Sequence, residues 1–250
     1  MRIVVVGASS GLGRCIATGM AERGAKVALL ARRKERIDDA ARDAGPHAVA
    51  IACDVTNETS CELAIADATT QLGGIDALVY APAIGPLKWL ADTDADTWQR
   101  VLATNVTGAA LITRAALPAL TESSGVAVYL SSVSASLTAP WPGLGAYAVS
   151  KAALDKLVEA WRAEHPTVGF TRLVVGDCAG GEGDAISGFS SDWDQELVAE
   201  IFPIWLDRKL LSGSLVAVEE LVTIVDAVAR AGGSLSIPSI TVAPRPAPPA

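Results

Sequence analysis

A tyrosine and a lysine four residues apart are the side chains of this sequence best suited to proton chemistry. The motif Tyr147-x-x-x-Lys151 lies at the start of a stretch with helical periodicity, from Ala146 to Glu164. On a helix, this spacing puts the phenol and the ammonium on one face. A nearby cation lowers a phenol pKa from its usual value of about 10. The pattern therefore predicts a tyrosine that gives a proton to a carbonyl oxygen or takes one from an alcohol.

A glycine-rich turn comes directly after the first aliphatic run of the chain. Gly7-Ala8-Ser9-Ser10-Gly11-Leu12-Gly13 is followed at once by a helical pattern. Glycines in such a turn let backbone N–H groups approach a pyrophosphate at the N-terminus of a helix. Their position between a strand and a helix predicts a dinucleotide site.

Two arginines stand where the second aliphatic run ends. Arg32 and Arg33 occupy a place where NAD-binding folds carry an acidic residue for the ribose hydroxyls, and an arginine there accommodates the 2′-phosphate of NADP. The sequence thus favours NADP(H), with NAD(H) as the other possibility, and Arg32 is the expected phosphate ligand. The alternative is that both arginines only begin a charged helix.

Composition and charge limit the classes of partner. Half of the residues are hydrophobic and the net charge is −8, which argues against a nucleic-acid backbone as the main partner. No segment approaches the length of a membrane span, and the first aliphatic run is too short for a signal peptide. Four widely spaced cysteines suit a reduced, cytoplasmic protein.

Asp92, Asp94 and Asp96 are expected to cap a helix rather than bind a metal, and no metal site is predicted.

Short aliphatic runs alternate with longer amphipathic stretches through most of the chain. The candidate strands are Arg2–Val6, Lys26–Ala31, Ala48–Cys53, Ala77–Tyr80, Val126–Leu130, Phe170–Val175 and Ser236–Val242. Helical patterns lie near 11–23, 33–43, 58–72, 95–120, 146–164 and 217–231. This alternation predicts one α/β domain over residues 1–250, a Rossmann-like, doubly wound parallel sheet of about seven strands with helices on both faces.

Two segments depart from the alternation. Residues 176–214 are rich in Gly, Ser and Asp, yet carry Phe189, Trp193, Phe202 and Trp205. So many large apolar side chains are unexpected in a free linker, and we expect a lid over a substrate pocket. Residues 243–250 contain four prolines and should form an extended tail.

Taken together, the motifs resemble those of the short-chain dehydrogenase/reductase family in its compact form. The matching pieces, in the family's order, are Gly7-x-x-x-Gly11-x-Gly13, Cys53-Asp54-Val55, Asn105-Val106-x-Gly108, Ser131-Ser132 and Tyr147-x-x-x-Lys151. They cover about residues 1–175. The resemblance implies a nicotinamide cofactor and hydride transfer between that cofactor and a carbonyl or alcohol.

The resemblance also implies a role for each matching residue. Tyr147 would be the general acid/base, Lys151 would tune it and hold the nicotinamide ribose, Ser132 would orient the carbonyl, and Asn105 would support a water relay. Asp54 would lie at the adenine, beside a backbone contact from Val55. The full set assigned to cofactor binding is Gly7, Ser9, Ser10, Gly11, Leu12, Gly13, Arg32, Arg33, Asp54, Val55, Ala81, Asn105, Tyr147, Lys151 and Gly176.

The chain departs from the family pattern at three places. Fifteen positions separate Ser132 from Tyr147, more than is usual, so spacing favours Ser134 as the catalytic serine while local sequence favours Ser132. The turn Tyr80-Ala81-Pro82-Ala83 lacks the family's asparagines. Gly176-Asp177 replaces its Pro-Gly and sets a carboxylate near the cofactor.

These features lead to two functional hypotheses. The first is an NADP-dependent carbonyl reductase or alcohol dehydrogenase with a hydrophobic small-molecule substrate. The second is a nucleotide-binding regulatory protein of the same fold with weak or lost catalysis, which the altered turns favour. The resemblance further implies a homotetramer or homodimer that associates through helices near 95–120 and 146–164.

Overall fold

Seven parallel strands form one sheet at the centre of the protein. The computed structural model describes residues 1–181, 186–231 and 233–245. The strand order is β3-β2-β1-β4-β5-β6-β7, and the order reverses between β1 and β4. The strands are β1 (Arg2–Val6), β2 (Lys26–Ala31), β3 (Ala48–Ala52), β4 (Ala77–Tyr80), β5 (Val126–Ser132), β6 (Gly169–Val175) and β7 (Ser239–Val242). The predicted Rossmann-like α/β class is confirmed.

Helices cover both faces of this sheet. They are α1 (Gly11–Glu22), α2 (Lys34–Ala44), α3 (Glu58–Leu72), α4 (Ala95–Leu102), α5 (Gly108–Ser123), α6 (Gly145–Glu164), α7 (Gln195–Asp207) and α8 (Val218–Ala229). Buried side chains of α1, α2 and α8 share one core cluster, and those of α3, α5 and α6 share the other. In the part of the chain described, no helix is both long and apolar enough to cross a membrane.

The two core clusters explain why the strands read as uninterrupted aliphatic runs. Along β1, Ile3 and Val5 pack into the first cluster, whereas Val4 and Val6 pack into the second. Successive strand side chains point to opposite faces, so a sheet covered on both sides needs an apolar residue at every position. The strand predictions therefore differ from the structure only at their ends.

The predicted helix 95–120 is two helices joined by a π-helical turn. α4 ends at Leu102, the turn spans Ala103–Thr107, and α5 continues from Gly108. A π turn holds one residue more than an α turn, and such turns are frequent at functional sites. Ahead of α4, the Asp94 side chain accepts a hydrogen bond from the Thr97 N–H at 2.7 Å, as the capping interpretation predicted.

The segment 176–214, expected as a loop, contains the helix α7. Asp194 caps this helix by accepting hydrogen bonds from the N–H groups of Glu196 and Leu197. Pro203 lies inside it, which is one reason why sequence periodicity did not indicate a helix. Of the expected tail 243–250, only residues 243–245 lie within the described part of the chain.

A side-chain cap at the start of α3 offers a test of local stability. Asn57 Oδ1 accepts a hydrogen bond from the Ser60 N–H at 2.8 Å. Replacing Asn57 with Ala should lower the free energy of unfolding by about 1 kcal/mol, because an N–H of the first turn loses its partner. Chemical denaturation measures this change. Asn57→Asp, which keeps the acceptor, is the matched control, and an equal loss in both variants would contradict the role of the cap.

Candidate active site

A cavity of about 730 Å³ opens at the carboxyl ends of the central strands. It begins where the strand order reverses, between β1 and β4, which is where open α/β sheets bind their ligands. Its volume lies in the range of about 300–1,000 Å³ typical of small-molecule sites. The cavity runs from the β1–α1 turn, past the ends of β2 and β3, to the N-terminal part of α6.

The glycines of the β1–α1 turn are required by close backbone contacts. Gly7 has φ +80°, and a Cβ atom there would lie 2.8 Å from the nitrogen of Pro82. A Cβ atom on Gly13 would lie 2.4 Å from the Gly7 carbonyl oxygen. These distances leave no room for side chains, so the turn presents its backbone to the cavity at the start of α1. Pro82, in the turn that lacks the family's asparagines, is thus packed against the glycine turn.

Arg33 joins the second strand to this turn. Its guanidinium donates hydrogen bonds to Ser9 Oγ at 2.7 Å and to Ser10 Oγ at 2.8 Å. Partial burial, together with the positive charges of Arg36 and Arg32, lowers the pKa of Arg33. A cluster of positive charge beside two hydroxyls and a helix N-terminus suits a phosphate group.

Asp54 forms a second polar edge of the cavity, after β3. Its carboxylate accepts hydrogen bonds from the Thr56 N–H at 3.0 Å and the Thr56 hydroxyl at 2.7 Å. Burial acts to raise the pKa of Asp54, but the bonds from Thr56 and the charge of Arg32 outweigh it and lower the pKa. Arg32 is exposed and its charge contributes to the lowered pKa of Asp54, while Arg33 contacts Ser9 and Ser10 of the glycine turn.

Tyr147 and Lys151 lie on the face of α6 that lines the cavity. The Lys151 side chain is buried, with the residue 2 % exposed, and its ammonium donates a hydrogen bond to the Leu130 carbonyl oxygen at 2.6 Å. The same nitrogen lies 5.7 Å from the centre of the Tyr147 ring. The lysine thus connects α6 to the end of β5 directly beneath the tyrosine.

Burial changes both proton affinities in the direction of the neutral forms. It raises the pKa of Tyr147 to about 12, against an opposing hydrogen-bonding interaction with the Ser132 side chain. It lowers the pKa of Lys151 to about 8, against the opposing charge of Asp155. The expectation of a lowered phenol pKa is therefore wrong for this geometry, because burial of the phenol outweighs the opposing effect of Ser132. At neutral pH Tyr147 carries its proton and can donate it.

Ser132 and Ser134 are both at the cavity and have different surroundings. Their hydroxyl oxygens are 2.9 Å apart, and the Ser134 N–H also donates to Ser132 Oγ at 3.3 Å. Ser134 is buried, whereas Ser132 is half-buried and interacts with Tyr147. Ser132 is thus the serine that acts on the phenol, and Ser134 contacts Ser132.

Asn105 lies in the π-helical turn and does not line the cavity. Its buried amide accepts a hydrogen bond from the Ile84 N–H and donates to the Ile84 carbonyl and to Ser150 Oγ, each at 2.9 Å. The side chain therefore braces the segment after β4, where the sequence lacks the family's other asparagines. Its part in a water relay stays a prediction.

The altered turn after β6 also has a structural explanation. The Asp177 carboxylate accepts hydrogen bonds from the N–H and the hydroxyl of Ser212, at 2.9 and 2.6 Å. The Gly176 N–H donates to the Val242 carbonyl at 2.8 Å. The carboxylate that could have repelled a cofactor is thus engaged by Ser212.

A covering segment, residues 186–207, closes one side of the cavity with aromatic rings. Phe189 packs edge-on against Tyr147, with ring centres 5.0 Å apart, and also against Trp193 at 5.8 Å. The indole N–H groups of Trp193 and Trp205 donate to the carbonyls of Gly85 and Pro142, at 2.8 and 2.9 Å. These bonds attach the covering segment to the loops after β4 and before α6.

The structure brings together nearly all of the predicted site residues. The cavity is lined by Gly7, Ser9, Ser10, Gly11, Leu12, Gly13, Arg32, Arg33, Asp54, Val55, Ala81, Ser132, Tyr147, Lys151 and Gly176. Sequence reasoning placed Phe189 in the expected lid but did not assign Ser187 to the site. Aromatic residues within a segment rich in Gly and Ser were the signal for Phe189, and nothing in the sequence indicated Ser187.

This arrangement of fold, glycine turn and Tyr-Lys-Ser cluster is typical of dinucleotide-binding oxidoreductases, and comparison with known proteins identifies the family of the chain. A sequence profile described as short chain dehydrogenase matches residues 1–178. The chain is 37 % identical over 199 residues to 11-beta-hydroxysteroid dehydrogenase 1A of Arabidopsis thaliana, covering 74 % of this chain and 56 % of that protein. The chain spans about half the length of the curated relatives it matches.

Solved structures agree with this similarity. A short-chain type dehydrogenase/reductase from Mycobacterium marinum has a TM-score of 0.82 and 27 % identity, with 97 % of this chain and 93 % of that one covered. A 3-ketoacyl-(acyl-carrier-protein) reductase from Brucella melitensis, complexed with NADH, shares the fold with a TM-score of 0.79 and 23 % identity, over 96 % of both chains. The chain belongs to the short-chain dehydrogenase family.

The contact between Gly13 and Gly7 generates a test of the turn. Gly13→Ala should weaken dinucleotide binding by tenfold or more, on the order of 1.4 kcal/mol, because the new methyl group displaces the Gly7 carbonyl. Fluorescence titration with NADPH measures the affinity. Gly233→Ala is the control, since its Cβ would find Ser124 only at 3.5 Å. Unchanged binding by the Gly13 variant would contradict the close approach.

Proposed function

We propose that the protein transfers a hydride between NADP(H) and a neutral, apolar carbonyl or alcohol substrate. The observation that carries this proposal is the position of the Tyr147 phenol. It lies beside Ser132, above the buried Lys151, in a cavity continuous with the glycine turn. A proton donor and a phosphate-binding turn in one cavity fit a reaction that needs both a nucleotide and a proton.

The residues present fit a nicotinamide dinucleotide. The backbone cradle of Gly7 and Gly13, which any Cβ would fill, suits the pyrophosphate. Arg33, with Ser9 and Ser10, suits the 2′-phosphate of NADP(H). We assign this contact chiefly to Arg33, in place of the Arg32 expected from sequence, because the Arg33 guanidinium lies against Ser9 and Ser10 of the glycine turn. NAD(H) remains the weaker cofactor in this proposal.

Side chains of this protein would supply the proton and would orient the substrate. When bound, the nicotinamide supplies or accepts the hydride. Ser132 would donate a hydrogen bond to the substrate oxygen, and Tyr147 would give its proton to that oxygen as the carbonyl becomes an alcohol. Lys151 would place positive charge below the phenol and favour the phenolate left behind. In the oxidative direction the same proton returns to Tyr147.

The wall opposite the tyrosine indicates the class of substrate. Trp141, Leu144 and Phe189 line this end of the cavity. Among the described residues that line this end of the cavity, Lys151 is the one with a positive charge. Its ammonium already donates a hydrogen bond to the Leu130 carbonyl. A carboxylate or phosphate on the substrate would therefore find no free charge partner there. We infer a bulky ring ketone or alcohol and propose that the covering segment acts as its lid.

Tyr147→Phe tests the mechanism, because it removes the hydroxyl and keeps the ring against Phe189. Turnover should fall by about 10²–10⁴, the range for a positioned acid or base. NADPH affinity should stay within about twofold, since the turn and Arg33 are untouched. Steady-state rates with a panel of cyclic, aromatic and short-chain ketones, alongside NADPH titration, provide both measurements.

The same panel separates the two functional hypotheses. Wild-type turnover that is highest with bulky apolar ketones supports the proposed enzyme. Tight NADPH binding without turnover of any ketone or alcohol would favour the nucleotide-binding regulatory protein. A Tyr147→Phe variant as fast as the wild type would exclude the proton role of Tyr147.

Substitutions at two neighbouring arginines test the preference for NADP(H) over NAD(H). Arg33→Ala should weaken NADPH binding by tenfold or more and leave NADH binding nearly unchanged, because a charge-assisted contact is worth about 1.5–3 kcal/mol. Arg32→Ala is the matched control and should have the smaller effect. Titration of each variant with both cofactors measures the preference. A larger effect at Arg32, or an equal loss for both cofactors, would refute the assignment to Arg33.

A further inference from the structure

A buried carboxylate that the proposed reaction does not use lies one helical turn beyond Lys151. Asp155 is only 5 % exposed, and neither of its carboxylate oxygens has a well-formed hydrogen bond to a described residue. Buried carboxylates are nearly always bonded or paired, because losing water without a replacement is costly. A buried carboxylate without such a bond is unusual, and its surroundings indicate what stabilises it.

The helix register places this acid in line with the active site. Tyr147, Lys151 and Asp155 follow one another at intervals of four residues, so they share one face of α6. The neighbouring strands contribute two further groups. The buried Ser131 hydroxyl of β5 lies beside the carboxylate and has no well-formed hydrogen bond either. Arg172 of β6 lies at 3.7 Å from Asp155 Oδ2.

Arg172 is shared rather than dedicated to Asp155. Its Nη1 donates to Glu159 Oε1 at 3.3 Å, closer than its approach to Asp155, and its Nε donates to Ser239 Oγ at 3.1 Å. Glu159 is also the next acid on the same helix face, one turn further from Lys151. Arg172 is part-exposed and keeps its charge partly in water. The buried charge of opposite sign on the cavity side of Asp155 is therefore Lys151.

The two buried groups compensate each other. A buried ammonium loses its hydration, and its one hydrogen bond, to the Leu130 carbonyl, replaces only part of it. A nearby negative charge favours the protonated form of the lysine, and the effect is large where water is excluded. In agreement, Asp155 acts to raise the pKa of Lys151 against the effect of burial. Burial raises the pKa of Asp155 itself, and Ser131, Arg172 and Lys151 act against that rise.

We propose that Asp155 is a positioning residue whose carboxylate keeps the buried Lys151 side chain protonated and directed at the Leu130 carbonyl. It acts on the reaction only through Lys151 and touches neither cofactor nor substrate. This inference rests on the proposed function in one respect, namely that Lys151 holds the nicotinamide ribose. Removing the Asp155 charge therefore makes Lys151 lose its proton at a lower pH.

Asp155→Asn removes the charge of the side chain and leaves its shape nearly unchanged. Glu159→Gln is the matched control, because Glu159 is an acid that contacts the same Arg172. Carbon-13 NMR of lysine-labelled, cofactor-free protein follows the Lys151 titration, assigned with Lys151→Met. The midpoint is expected near pH 8 in the wild type and should fall by about 1 pH unit in Asp155→Asn. It should stay within about 0.3 unit in Glu159→Gln.

A second readout uses NADPH affinity as a function of pH. Asp155→Asn should nearly match the wild type at pH 6, where Lys151 is mostly protonated in both, and bind about fivefold more weakly at pH 8. A merely structural defect would weaken binding equally at both values. If Asp155→Asn does not fold, Asp155→Leu replaces it, since an apolar side chain of similar size needs no partner there.

The outcomes distinguish this inference from the proposed function. An unchanged Lys151 midpoint in Asp155→Asn, or an equal shift in Glu159→Gln, would overturn the role of Asp155. Absence of turnover by the wild type would overturn the proposed catalysis. It would leave the NMR result standing, because that titration needs neither cofactor nor substrate.

Discussion

The buried ammonium of Lys151 is the constraint on which the active site depends. A charge enclosed by protein must be directed at an acceptor, and here the acceptor is the carbonyl of Leu130 near the end of β5. That bond, together with the packing of Leu154 and Val158 in the second core cluster, holds α6 against the sheet. In this register the helix presents Tyr147 to the cavity, and Asp155 lies near Arg172 of β6. Tyr147, Lys151 and Asp155 are thus positioned by one helix register.

The same site is held from the opposite side by groups that replace missing family features. Asn105, in the π-helical turn, bonds both the N–H and the carbonyl of Ile84, and Pro82 fills the space over Gly7. Ser212 engages the carboxylate of Asp177. The altered turns after β4 and β6 are therefore each held by local contacts.

Much of this architecture was readable from the sequence, for physical reasons. Strands covered on both faces must be continuously aliphatic, and several glycines between a strand and a helix indicate a backbone that a side chain would obstruct. The π turn was not readable, because one extra residue in a long helical stretch leaves the apolar pattern nearly unchanged. The choice between Arg32 and Arg33 depends on the direction in which β2 ends. The direction of the Tyr147 pKa depends on burial of the whole pair, which spacing on a helix does not reveal.

The attachment of the covering segment has a consequence for how such an enzyme changes over generations. Trp193 and Trp205 bond to backbone carbonyls of the loops at Gly85 and Pro142, not to side chains. Every residue type offers that carbonyl, so mutations in these two loops can alter the wall facing the substrate without releasing the segment. Substrate preference can therefore drift under selection while closure of the cavity is inherited intact.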